Sequence, residues 1–109
     1  MENQNIQLLN TLAACADACN RCSTACLTEG DVKKMADCIK LDMDCAQICV
    51  TTAAFIARGS DHAAHILKEC AEICEKCGAE CAKHNVDHCQ QCAQACRKCA
   101  EACKAGIKA

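Results

Sequence analysis

Apolar and thiol side chains recur along this chain in a helical rhythm. Cysteines stand at Cys15, Cys19, Cys22 and Cys26, then at Cys38, Cys45 and Cys49, then at Cys70, Cys74, Cys77 and Cys81, and finally at Cys89, Cys92, Cys96, Cys99 and Cys103. Gaps within each group alternate, with few exceptions, between four and three residues, which is the spacing of one helical face. The first stripe continues backward through Leu12 and Leu8, and the third through Leu67 and Ala63. Such seams have a period of about 3.5 residues, as in antiparallel bundles. A shift of 55 positions lays Cys15, Cys19, Cys22 and Cys26 onto Cys70, Cys74, Cys77 and Cys81. A shift of 54 lays Cys38, Cys45 and Cys49 onto Cys92, Cys99 and Cys103, with Met35 falling on Cys89 and Asp42 on Cys96. The pattern predicts a helical hairpin written twice.

Stop signals lie between the stripes: Gly30 then Asp31, Gly59 then Ser60 and Asp61, and Asn85 then Asp87, with Gln90 placed to close a capping box. Helices are therefore expected at 4–28, 31–58, 61–84 and 87–106, forming one domain over 1–109 built from hairpins 4–58 and 61–106. Turns this short predict an all-α, antiparallel up-down-up-down four-helix bundle with a Cys-lined core.

Composition sharpens this picture. The chain has 109 residues, 16 Cys, no Pro, no Trp, no Tyr and one aromatic, Phe55. Ala and Cys make up 21 and 16 of the hydrophobic residues, leaving 20 Val, Ile, Leu, Met and Phe for an ordinary core. Apolar burial alone is thin for such a length, so another cross-link is expected. The formal net charge of −2 and the scattered Lys and Arg leave no footprint for nucleic acid or an anionic membrane. No Lys or Arg precedes Arg21 and no long apolar run occurs. Neither an export signal nor a membrane span is read, and a cytoplasmic location is expected. Thiols there are kept reduced, which favours metal or redox chemistry over a disulfide framework.

Several chemistries compete for the cysteines. One buried Cys is often only a small hydrophobe, a reading that fails for 16 on four matching stripes. Helical neighbours three or four apart hold their Cβ atoms ~5–6 Å apart, too far for a disulfide, which wants ~3.5–4.5 Å. Ferredoxin-type cluster ligation calls for a C-x2-C-x2-C-x3-C-P run, and this chain lacks proline. A closed-shell soft metal remains. Four-coordinate zinc would place about four Zn²⁺ among the thiolates and leave about eight negative charges uncompensated in a narrow core. Cu(I) is monovalent and favours two or three thiolates, so as many as about 16 ions can balance 16 bridging sulfurs. A near-linear S–Cu–S unit of roughly 4.5 Å also suits an i, i+4 pair. A helical zinc or cadmium thiolate buffer is the nearest alternative. A thiol redox protein is the alternative of a different class, although C-x-x-C lies here inside helices. No Ser/His/Asp set, phosphate loop or pair of catalytic carboxylates is present, so no enzyme activity is expected.

The C-x3-C-x2-C-x3-C stripes at Cys15–Cys26 and Cys70–Cys81, together with Cys89–Cys103, make the chain resemble the bacterial copper storage proteins, in particular their cytosolic branch. The resemblance covers nearly the whole chain. It implies a four-helix bundle filled with many Cu(I) ions, a homotetramer, and a store or sink in place of a catalyst. Copper chaperones or low-molecular-weight thiols are the implied exchange partners. The sequence departs from the pattern at Asp42, where a hard carboxylate is a poor ligand for Cu(I).

Threading the stripes antiparallel gathers Cys26, Met35, Cys38, Cys81, His84, His88 and Cys89 at one end and Leu8, Leu12, Ile56, Leu67 and Ile107 at the other. The first end is expected to be a mouth, with Met35, His84 and His88 as entry ligands, and the second an apolar plug. His62 and His65 are expected on the surface near the plug. Leu41, Ile48 and Phe55 flank the second helix, where they either thicken the core or form a subunit contact.

Overall fold

The computed structural model describes the backbone of residues 3–108 and the side chains of residues 5–107. Four helices account for most of it: α1 (Asn3–Cys26), α2 (Ala36–Ala57), α3 (Ala63–Ala82) and α4 (Asp87–Lys108), with a single 3₁₀ turn, Val32–Met35, leading into α2. There is no strand among the described residues. Each helix lies against two others, α1 and α3 both packing on α2 and on α4. Direction follows from which sulfurs meet. Cys15 meets Cys45 while Cys26 meets Cys38, so α1 and α2 run opposite ways. Cys38 meets Cys81 while Cys49 meets Cys70, and Cys22 meets Cys89 while Cys15 meets Cys96. The bundle is thus antiparallel, and its 45 × 19 × 17 Å envelope is narrow.

Small side chains beside the stripes make that narrowness possible. Ala16, Ala46, Ala71, Ala93 and Ala100 are all buried. At Gly78 an added Cβ would stand 3.3 Å from Cys96 Cβ and 3.5 Å from the Ala93 carbonyl, so glycine lets α3 and α4 approach closely. Leu41 and Ile48 pack against the core, thickening it. Half-buried Phe55 instead carries the Arg58 guanidinium 5.2 Å from its ring centroid.

The turns differ in detail from the expected ones. Gly59 alone among the described residues has positive φ, 67°. Its amide donates to Ile56 O and that of Ser60 to Phe55 O, both at 3.0 Å, the paired bonds of a Schellman end. By contrast α1 stops at Cys26, short of position 28. The amides of Leu27, Thr28 and Glu29 then donate to carbonyls three residues back, which tightens the chain into the α1–α2 turn without a left-handed glycine. Gln90 closes no capping box. Its side-chain amide donates to the carbonyls of His84 (2.8 Å) and Ala82 (3.2 Å), so it satisfies the end of α3 from the start of α4.

Candidate metal centre

The helical spacing of the stripes turns every cysteine inward. All 16 are free thiols, none more than 1% exposed. Neighbouring Sγ atoms lie between 3.4 Å (Cys38–Cys81) and 4.0 Å (Cys92–Cys96) apart, well beyond the ~2.05 Å of a covalent bridge. From the plug upward, Cys49 touches Cys70, Cys74 and Cys99. Cys45 touches Cys15, Cys74 and Cys96, and Cys19 touches Cys92 and Cys96. At the far end Cys22, Cys26, Cys38 and Cys89 close together. Cys77 bonds to Cys81 at 3.9 Å, and Cys103 is buried on the same stripe as Cys99.

These spacings have a chemical meaning. With metal–sulfur bonds of ~2.3 Å, sulfurs 3.4–4.0 Å apart subtend roughly 95–120° at an ion between them. That suits three-coordinate, bridged binding. Within one helix the i, i+4 pairs Cys22–Cys26, Cys70–Cys74 and Cys77–Cys81 all stand at 3.9 Å, closer than the roughly 4.5 Å of a linear unit. A linear seat therefore needs a small opening of the pair, whereas a third sulfur from a facing helix is already in place. Groups such as Cys15, Cys19, Cys45 and Cys96, or Cys15, Cys49, Cys74 and Cys99, have all four sulfurs within 4.8 Å of one another.

Burial in the metal-free core favours the neutral thiol. Burial pushes the Cys26 thiol up to about 11 and raises that of Cys89 as well. Keeping the S–H avoids stacking like charges in a region that water does not reach. Asp42 follows the same rule. It is fully buried, and that burial pushes its carboxyl up to about 8. Thiols of Cys77, Cys81 and Cys92 donate to its Oδ1 at 3.2–3.3 Å, and Cys38 approaches Oδ2 at 3.8 Å. Its oxygen, with Cys22, Cys81 and Cys92, completes a further four-donor group.

Met35, buried, and His88 sit at the end where Cys22, Cys26, Cys38 and Cys89 meet. His88 Nδ1 is 3.5 Å from Cys22 Sγ and 3.6 Å from Cys89 Sγ, while Nε2 bonds to Glu29 at 3.0 Å. His84 turns its Nε2 to Glu80 at 2.9 Å; this bond holds the Glu80 carboxyl below its ordinary range. At the opposite end Leu8, Leu12, Ile56 and Leu67 are buried. Ile107 lies at this end as expected but joins the plug only in part. It is 39% exposed and borders a cleft of about 690 Å³ that Leu8, Ile56 and Leu67 also line. The last turn of α4 presents Gly106 to Leu8 and Leu67, which leaves Ile107 at the rim of the plug. His62 and His65 are exposed near this end.

Two carboxylates and one hydroxyl were not singled out from sequence. Glu80 precedes His84 by one helical turn, a signal that spacing offers. Glu29 is 59 residues from His88, and only the folded chain brings them together. Thr52 continues the α2 stripe from Cys49 toward Ile56; its buried Oγ1 has no hydrogen-bond partner among the described residues.

Comparison with known proteins places this arrangement. The copper storage protein family, Csp, matches residues 1–108. An uncharacterized cysteine-rich protein, YhjQ of Bacillus subtilis (strain 168), is 42% identical over 70 residues; the match spans 64% of this chain and 65% of the length of that relative. The Cu(I)-bound copper storage protein BsCsp3 superposes with a TM-score of 0.90 at 41% identity, over 94% of this chain and 97% of that one. A cytosolic copper storage protein from Streptomyces lividans, solved with five coppers, gives 0.94 at 39% identity, over 97% of this chain and 93% of its own.

Proposed function

The chain belongs to the copper storage protein family, and from that premise we propose that it is a cytoplasmic Cu(I) store whose core thiolates hold many ions. The observation that carries this is the set of 16 buried, unbridged thiols, all but Cys103 within 4.0 Å of another sulfur. Each thiol can exchange its proton for a monovalent soft cation, so the interior stays neutral as it fills. In balanced form, Cys–SH and Cu⁺ give Cys–S–Cu and H⁺, with the sulfur oxidation state unchanged. A divalent ion of the zinc kind takes four thiolates in an isolated tetrahedral site, so 16 sulfurs would seat only about four such ions and leave charge uncompensated. The protein is read as a container, not an enzyme. Its proposed assembly is a homotetramer, loaded and emptied by copper chaperones or low-molecular-weight thiols.

All 16 cysteines, Cys15 through Cys103, are the proposed ligands, and Met35, His84 and His88 the proposed entry ligands. Imidazole and thioether hold Cu(I) less tightly than thiolate, so an ion captured at the mouth moves inward down an affinity gradient. The apolar plug formed by Leu8, Leu12, Ile56 and Leu67 closes the other end. Anaerobic titration of reduced protein with Cu(I) against a competing chelator tests both parts. Saturation above about ten ions per chain supports storage, whereas four tight Zn²⁺ with little copper uptake supports a zinc buffer. Changing Met35, His84 and His88 together is expected to slow loading and leave the end point nearly unaltered; an unchanged rate refutes the entry route.

A further inference from the structure

We propose that Glu29 is a positioning residue for copper entry: its carboxylate holds the ring of His88 so that Nδ1 is the nitrogen offered to metal at the mouth. This deepens the entry reading above and rests on it. Glu29 Oε2 lies 3.0 Å from His88 Nε2. A carboxylate oxygen accepts in such a bond, so the hydrogen belongs to Nε2. The other nitrogen, Nδ1, then faces Cys22 Sγ at 3.5 Å and Cys89 Sγ at 3.6 Å. Both sulfurs belong to the mouth-end group Cys22, Cys26, Cys38 and Cys89, whose four atoms lie within 4.8 Å of one another. An ion received at Nδ1 is therefore one step from a complete thiol site. Passing it on makes a Cu–S bond to Cys22 or Cys89, breaks the Cu–N bond and releases that thiol's proton to water.

The way the two partners are supplied argues for positioning over simple surface pairing. Glu29 comes from the α1–α2 turn, and His88 from the first turn of α4. One hydrogen bond thus fixes the ring's tautomer and its rotation and also ties the turn beside the mouth. Imidazoles that bind metal usually donate their second ring N–H to a carboxylate or carbonyl, which orients the ring and raises its donor strength. His84 gives the contrast. Its Nε2 is held by Glu80 at 2.9 Å, from within the same hairpin, and no sulfur hydrogen bond to its ring occurs among the described residues. Of the two mouth histidines, His88 has both the orienting carboxylate and the facing sulfurs.

The test uses the reduced 109-residue chain, with Cu(I) delivered as its bicinchoninate complex. Initial loading rates are followed by stopped flow, and the ring nitrogen shifts of His88 are read by NMR in the copper-free protein. Glu29→Ala is expected to slow the first loading phase about tenfold without changing the final copper count, and to convert the pure Nε2–H tautomer into a mixture. Glu29→Gln is expected to restore most of the rate and the single tautomer, because its amide oxygen still accepts from Nε2–H. A wild-type rate and tautomer in Glu29→Ala overturn the inference; if His88→Ala is slow in the same experiment, the entry reading survives that failure. If His88→Ala itself loads at the wild-type rate, the entry reading has failed and this inference falls with it.

Discussion

Asp42 occupies the place on the α2 stripe where its repeat partner carries Cys96, and the surroundings rather than the residue type decide its chemistry. A carboxyl without water or a cation nearby keeps its proton, and here it titrates near 8 against 3.8 for an exposed aspartic acid. In the unfolded chain the same group ionises at the lower value. Between these limits the folded state binds a proton that the unfolded state has lost, so stability falls as pH rises. The penalty is absent below about pH 4, grows through neutrality and levels off above about pH 8, where it is on the order of 5 kcal/mol. Asp42→Asn keeps an oxygen that can accept from Cys77, Cys81 and Cys92 and removes the titration. Urea unfolding of metal-free protein at pH 5 and pH 8 is therefore expected to show a large difference for wild type and a much smaller one for Asp42→Asn. Equal pH dependence in the two proteins contradicts this assignment. Loading works in the opposite direction, because a cation beside Asp42 favours the ionised carboxylate that burial disfavours.

Helices and turns obey local rules of different reach. At Gly59 the positive φ of 67° is needed for the two bonds that end α2. Gly59→Ala is expected to lower stability by about 1 kcal/mol while leaving copper capacity unaltered, since no sulfur moves; chemical denaturation and a copper count check the two halves of that statement. The four helices, their inward stripes and their antiparallel order were legible in the sequence because Cys, Leu and Ala recur at a helical period over some twenty residues at a time. Helix ends were less so. Gly30 looked like the stop for α1, yet the chain closes at Cys26 by 3₁₀-type bonds and leaves the glycine outside. Gln90 stood at the spacing of a capping box but spends its amide on carbonyls across the turn, a choice that depends on where α3 finishes. Ile107 fits the stripe arithmetic, but Gly106 is the residue turned to Leu8 and Leu67, so Ile107 stays at the rim. That His88 would lie at the end where Cys26, Cys38 and Cys89 meet was legible from the stripes. Its partner Glu29 was not, because no local pattern links residues so distant in the chain.

At the scale of the molecule, thin apolar packing and dense sulfur are two aspects of one design. Leucine occupies the core mainly at the plug; above it the interior is filled by small polarizable thiols and alanines. Such a core is held only modestly by burial, and metal that binds the folded state alone adds stability by mass action. The interior can fill without accumulating charge only if each arriving ion displaces one proton. Native mass spectrometry of the anaerobically loaded chain reads this directly, because each peak gives both the number of ions and the number of protons lost. The account predicts more than about ten coppers per chain, with about one proton lost for each. Saturation near four ions, with two or more protons lost per ion, would contradict it.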